Sequence, residues 1–322
     1  MRKAGLAASF LLALWLLAGP GSTRAQEDLD PEPAMQAPLA GKSLLLDVAR
    51  ADDAFVVVGG RGHILTSTDG GETWQQAAVP TRQTLTGVYF FNRELGWVVG
   101  HDSAILRTTD GGISWELVNW APEEESPLFD VWFSDADNGI AVGAYGSFYR
   151  TFDGGASWSF EPISEWDYHL HHIARSADGR MYIAAEAGMI YRSDDGGETW
   201  VELPSPYEGS FFGSLPLDGD VVLVFGLQGN LFRSEDAGET WQPIETDTSS
   251  MLTDGIRLRD GRIVISGLGG TLLVSSDGGW SFGLVPQPDR RGISAIVETG
   301  GDELLMVGEF GVKTIGKEEL TP

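Results

Sequence analysis

The residues best able to do chemistry fall into three groups. Trp166-Asp167-Tyr168-His169-Leu170-His171-His172 sets two imidazoles, His169 and His171, on one strand face beside a carboxylate, a combination that can hold zinc or copper. The same residues suit a polar connector with one packed histidine, and we expect no metal here. Tyr168, Tyr207, Glu186 and Arg175 are candidate parts for a glycoside-hydrolase site of the kind in which a tyrosine works with a glutamate while arginines clamp a carboxylate. An early Phe-Arg-Ile-Pro stretch is missing, so hydrolysis or carbohydrate binding stands as the alternative reading. The third group is a series of six Asp-Gly-Gly-like loops that look like calcium sites. Each offers one or two carboxylates, whereas calcium needs several converging oxygens and a closing glutamate.

Those loops belong to a repeat. Ser193-Asp194-Asp195-Gly196-Gly197-Glu198-Thr199-Trp200 recurs around Asp69, Asp110, Asp153 and Asp236, and in a worn form around Asp277. Taken in order, the lead aspartates lie 41, 43, 42, 41 and 41 residues apart. A period near forty with turn punctuation means repeated small sheets. In each box the aspartate can accept hydrogen bonds from backbone N–H groups two or three residues on, and the glycines supply positive φ. The tryptophan that follows is placed to bury a large apolar surface between neighbouring sheets. All six aspartates therefore read as structural.

Ten residues upstream of each box lies a second repeat, a glycine turn such as Val58-Gly59-Gly60-Arg61-Gly62. The last turn is Val307-Gly308-Glu309-Phe310-Gly311, which makes seven turns against six boxes. Each unit parses as two strands, the glycine turn, a third strand, the box as a second turn, and a fourth strand. Four-stranded antiparallel units repeated radially make a β-propeller. The expected fold is all-β: a seven-bladed propeller of four-stranded antiparallel blades over residues 43–316, followed by a tail at 317–322. The seventh unit has sequence for three strands, and Ala34 to Lys42 is the natural donor of the fourth, closing the ring and covering a sheet edge. Pro38 confines such a strand to the outer edge.

At the other end, Arg2 and Lys3 precede an apolar run from Ala4 to Leu17, and Thr23-Arg24-Ala25 offers the small residues a signal peptidase reads. Residues 1–25 thus read as a secretory signal cut after Ala25. The run falls short of the roughly 20 residues a bilayer span needs. Residues 26–42 are acidic and proline-bearing, a flexible lead-in. The absence of cysteine excludes disulfides, thiolate metal sites, a cysteine nucleophile and a lipidated cysteine. A net charge of −26 repels nucleic acid and anionic headgroups, and suits an exported, soluble monomer. The expected location is the periplasm, with no membrane insertion once the signal is cut.

The boxes are Asp-box, or BNR, repeats. The line from Leu128-Phe129-Asp130-Val131-Trp132-Phe133 through Gly139-Ile140-Ala141-Val142-Gly143 to Arg150-Thr151-Phe152-Asp153-Gly154-Gly155 resembles the photosystem II assembly and stability factor family. The resemblance spans about residues 43 to 315. It implies a seven-bladed propeller that binds other proteins, needs no cofactor and catalyses nothing, with an arginine-rich patch implicated in holding its client. Arg107, Arg150, Arg192 and Arg233 recur at one third-strand position and could correspond to part of that patch, or form ordinary blade-to-blade salt bridges. Blades one and six depart from the pattern, with Thr66 and Val274. Sialidases carry Asp boxes too, on the face away from their active sites.

In a propeller the glycine turns and the blade-to-blade linkers share one face, while the boxes occupy the other. The turns would present Arg61, His101, Tyr145, Glu186, Gln228, Glu309 and Phe310, and the linkers Trp120, Trp166 and Tyr207. Exposed aromatics rimmed by charge are what a protein-binding surface requires. The expected function is that of an exported, non-enzymatic assembly or accessory factor for a membrane or envelope complex, a transporter among the candidates.

Overall fold

Each repeat folds on itself because its turns are too tight to do anything but reverse the chain. The computed structural model describes residues 31–321; the secretory signal read at 1–25, and residues 26–30 of the lead-in, lie outside the described residues. In blade one the strands Leu45–Ala51, Ala54–Gly59, Ile64–Ser67 and Gln75–Gln76 pair antiparallel in chain order. Five more four-stranded sheets repeat this pattern. The seventh sheet has three strands, Ile293–Glu298, Glu303–Gly308 and Gly311–Gly316. First strands neighbour one another around the axis, and Leu45–Ala51 packs against Ile293–Glu298 to close the ring. The protein is a seven-bladed β-propeller. Among the described residues no helix is long and apolar enough to cross a membrane.

The core is divided into seven apolar clusters, each shared by two neighbouring blades. Six of them take in the aromatic residue of a box: Trp74, Trp115, Trp158, Trp200, Trp241 and, in the worn box, Phe282. Second strands such as Ala54–Gly59 are buried throughout, since both of their faces meet another blade.

The box aspartates reach one residue further than the turn chemistry alone predicts. Asp195 Oδ1 accepts the Thr199 N–H at 2.9 Å and the Ser193 hydroxyl at 2.7 Å, while Oδ2 accepts the Thr199 hydroxyl at 2.6 Å. The buried Ser193 Oγ in turn accepts the Gly197 N–H at 2.8 Å. These bonds hold Asp69, Asp153, Asp195 and Asp277 down at about 2, and lower Asp110 and Asp236 as well.

Ring closure departs from expectation. The segment 34–42 adds no strand to the seventh sheet. Ala40–Lys42 is a single 3-10 turn beside Gly311–Gly316, and the residues before it turn to blade one. There Ala34 N–H donates to Val79 O at 3.0 Å, and Ala37 N–H to Gln76 Oε1 at 2.8 Å. In the third strand of blade seven Lys313 takes the ladder place that the buried Leu65 has in blade one, and the next residue, Thr314, is exposed, so its outer edge is polar instead of a sticky apolar one. Residues 317–320 of the C-terminal tail pack onto the ring. Lys317 N–H donates to Asp302 O at 2.8 Å, as Gly111 N–H does to Glu94 O at 2.9 Å within blade two. Leu320, 2% exposed, takes the box aromatic's place between blades six and seven. The turn Lys317–Glu319 therefore substitutes for the missing seventh box.

Candidate binding face

Backbone hydrogen bonds settle which elements share a face. His101 N–H donates to Thr84 O, Glu186 N–H to His169 O and Leu227 N–H to Ser210 O, so turns are bonded to linkers. The boxes bond instead to the loops between first and second strands, as Gly154 N–H does to Asp137 O at 2.8 Å. Each turn is tight because its glycine lies under a linker: a Cβ on Gly188, at φ +80°, would sit 1.9 Å from Tyr207 O. The residue before that glycine is left-handed as well, at Arg61, Tyr145, Ala187 and Gln228. This conformation turns the side chain out of the sheet.

Of the residues expected on this face, Arg61, His101, Gln228 and Glu309 are exposed, Tyr145 is 59% exposed and Trp166 61%. Glu186 and Glu309 also work locally: their carboxylates accept the His169 N–H at 3.1 Å and the Gly292 N–H at 2.7 Å. Phe310 is half-buried against the cluster between blades six and seven, and Trp120 and Tyr207 are half-buried on their linkers. The first strands join the face through the bulged residue of each, an irregularity that the sequence does not announce. Phe129 and His171 come together there with Phe212 and with the linker residue His169. Ring centroids run Tyr145 to His169 5.1 Å, His169 to Phe129 6.0 Å, Phe129 to His171 5.7 Å and His171 to Phe212 4.7 Å. His171 Nδ1 lies 2.8 Å from Phe211 O, and burial lowers its affinity for a second proton. This row of five rings crosses blades three, four and five, from the exposed rim inward to the axis.

One residue beyond each bulge is a column that sequence reading overlooked: Asp47, Gly87, Asp130, His172, Gly213, Asp254 and Ala295. Each acid accepts its neighbour's N–H and one from the next blade, at Val88, Ile173 and Ile296, over 2.7–2.8 Å. These bonds lace the inner strands together. Burial, with repulsion from Asp130 and then Asp254, pushes Asp47 up to about 8, against the pull of the Val88 N–H. Burial raises Asp130 and Asp254 too, opposed by His172 and the backbone N–H groups. All three are half-exposed toward the axis, which moderates the effect without reversing it. The signal was present in the sequence as a Leu-x-Asp at the start of three first strands, hidden by glycine, histidine and alanine in the other blades.

The repeated arginines lie elsewhere. Arg150, buried, donates to Gly197 O in the next blade's box, with Glu161 at 3.2 Å and Glu198 at 3.4 Å. Arg192 reaches Ala237 O at 3.0 Å, and Arg233 reaches Gly278 O at 3.3 Å while lying 3.8 Å over the Trp280 ring. Arg107 packs against Gly154 of the next box without a hydrogen bond, its Nε buried and unpartnered. The four side chains thus staple each blade to the next on the box face.

Hydrolase and metal constellations do not assemble. Arg175 stacks on Trp132 at the box-side end of its strand, whereas Glu186, Tyr168 and Tyr207 lie at the turn side. His172 turns away from His171 toward the Ser214 N–H, and among the described residues no group of three or more histidines and acids could hold a metal.

A model for photosynthesis system II assembly factor YCF48 matches residues 73–127 and 122–279, and one for the BNR/Asp-box repeat matches residues 65–76. The chain belongs to the YCF48 family. No curated protein matches it. Among solved structures, YCF48 bound to D1 peptide is 21% identical with a TM-score of 0.70, over 89% of this chain and 95% of that one. YCF48 from Cyanidioschyzon merolae is 20% identical with a TM-score of 0.70, over 88% of this chain and 99% of the other. The WD40 propeller domain of Doa1, 14% identical, has a TM-score of 0.68. At such identities the structural likeness is one of fold, and the family rests on the YCF48 model.

Proposed function

We propose that this YCF48-family propeller is an exported, non-enzymatic assembly or accessory factor that holds a protein client of a membrane or envelope complex on its turn face. The observation that carries the reading is the five-ring row that begins at the exposed Tyr145, together with the exposed Trp166 on the adjoining linker, since large aromatic rings left in water are what binding surfaces keep. A relative bound to a D1 peptide supports a polypeptide client. Cleavage after Ala25 in the periplasm, a monomeric free state and a transporter complex as the client's setting complete the proposal, supported by the basic and apolar leader and by the acidic charge.

The test is co-purification of the tagged mature chain with its client from the native envelope. Tyr145→Asp with Trp166→Asp should abolish recovery while Tm moves by no more than about 2 °C, as surface substitutions do. Undiminished recovery from the double variant would remove the face assignment. Turnover of glycoside substrates that is lost in Glu186→Gln would instead install the hydrolase reading.

A further inference from the structure

Basic residues are unevenly spread over the turn face. From Gly100 to Met251 the turns and linkers contain no lysine or arginine, while they carry Asp102, Glu123, Glu124, Glu125, Glu165, Asp167, Glu186 and Glu208. Arg61, Arg82, Arg290 and Arg291 all fall on the opposite side of the ring, around blades six, seven and one. The five-ring row lies within the acidic half. Asp167 is exposed beside the Tyr145 turn, where its Cα would lie 3.5 Å from a Cβ on Gly146, and the Glu186 carboxylate is 4.0 Å from His169 Nε2.

We infer that the acidic-aromatic half of the turn face, centred on Tyr145, Phe129 and Phe212, takes a basic, extended segment of a partner protein, with arginine or lysine side chains lying on the rings. This rests on the turn face being the client-binding face, and it names the client's chemistry. A cation over an aromatic face is attracted by the ring quadrupole, most strongly where water is partly excluded, as the half-buried Phe129 and Phe212 are. The bordering carboxylates add long-range attraction and repel acidic competitors. The repeat arginines cannot serve an acidic client here: Arg150, Arg192 and Arg233 donate to the boxes of the other face, and Arg107 lies against a box there too.

Fluorescence anisotropy tests this with a labelled twelve-residue peptide of alternating arginine and serine, and a glutamate-serine counterpart. The arginine peptide should bind and the glutamate peptide should not, with affinity falling between about 50 and 200 mM salt. Tyr145→Ala with Phe212→Ala should weaken binding by about tenfold, and Glu165→Gln with Asp167→Asn should do so severalfold. Glu72→Gln with Glu94→Gln, which removes exposed acids on the box face, should change nothing. Thermal melts of each variant confirm that the propeller is intact. No binding of the arginine peptide, equal loss in the box-face control, or indifference to the ring variant overturns the inference. A client still recovered through Tyr145 and Trp166, together with any of those results, would leave the docking face standing and show that its client is not basic.

Discussion

On the box face, polar groups are satisfied by one another; on the turn face, many are left for something else. Each box spends both carboxylate oxygens and a serine or threonine hydroxyl on its own loop, and the third-strand arginines finish the neighbouring box. The turn face repeats only its glycines and its backbone bonds to the linkers. Between those fixed points every blade has a different side chain, and blades three to five carry aromatic rings where the others carry threonine, leucine and serine. Repetition therefore marks what holds the ring together, and its absence marks where a partner can be read.

Substitutions should separate the two faces sharply. The largest effect is expected at Trp115, 7% exposed in the cluster between blades one and two. Trp115→Ala should cost about 3–5 kcal/mol by denaturant unfolding, through lost burial and the cavity it leaves. Client recovery from the surviving folded fraction should be normal. Ser193→Ala comes next: it strands the buried Gly197 N–H and frees Asp195, for about 1–3 kcal/mol. Arg150→Met should cost less, about 0.5–1.5 kcal/mol, since Gly197 O keeps the Trp200 indole N–H at 3.1 Å while Glu161 and Glu198 lose their partner, and its client recovery should match wild type. A loss of client at unchanged stability in Arg150→Met would move the binding site to the box face and break the comparison.

The inner column gives a pH dependence that sharpens it further. Asp47 ionises at 3.8 when unfolded and near 8 when folded, so between those values the folded state keeps a proton the unfolded chain has released. Stability must then fall as pH rises through that window. The box aspartates, held near 2, act in the other direction and lose their contribution only as pH falls below the ordinary carboxylate range. Denaturant midpoints should decline from about pH 5 to about pH 8, and Asp47→Asn should flatten that slope. A slope unchanged in Asp47→Asn would mean that another group carries it. The smallest effect on stability is expected from Tyr145→Ala, within about 0.5 kcal/mol, because the ring is already in water.

Much of this was legible in the chain. The period of the boxes, the count of seven glycine turns and the tryptophan after each box specify blades, faces and inter-blade packing, because each depends on local turn geometry and on residues a fixed distance apart. The fate of the strap 34–42 was not: Ala37 has one N–H to give, and whether it goes to Gln76 or to the edge of blade seven depends on what each neighbour offers once the ring has closed. Neither was the role of 317–320, since nothing in Lys317-Glu318-Glu319-Leu320 resembles a box. Leu320 fills the gap because an apolar side chain of adequate size arrives there, and packing asks for volume before it asks for a motif.

The sequence by itself determined the propeller, its blade number and the division between fastening and free faces, all through periodic local signals. Only the tertiary structure decided that Tyr145, His169, Phe129, His171 and Phe212 form one row, that Asp47, Asp130 and Asp254 lace a single ring, and that four arginines bind boxes instead of a client. The contacts that decide this, such as His171 with Phe212, Asp130 with Ile173 and Arg192 with Ala237, join residues some forty positions apart that meet only when blades are set side by side, and no local pattern encodes which neighbour a side chain will reach.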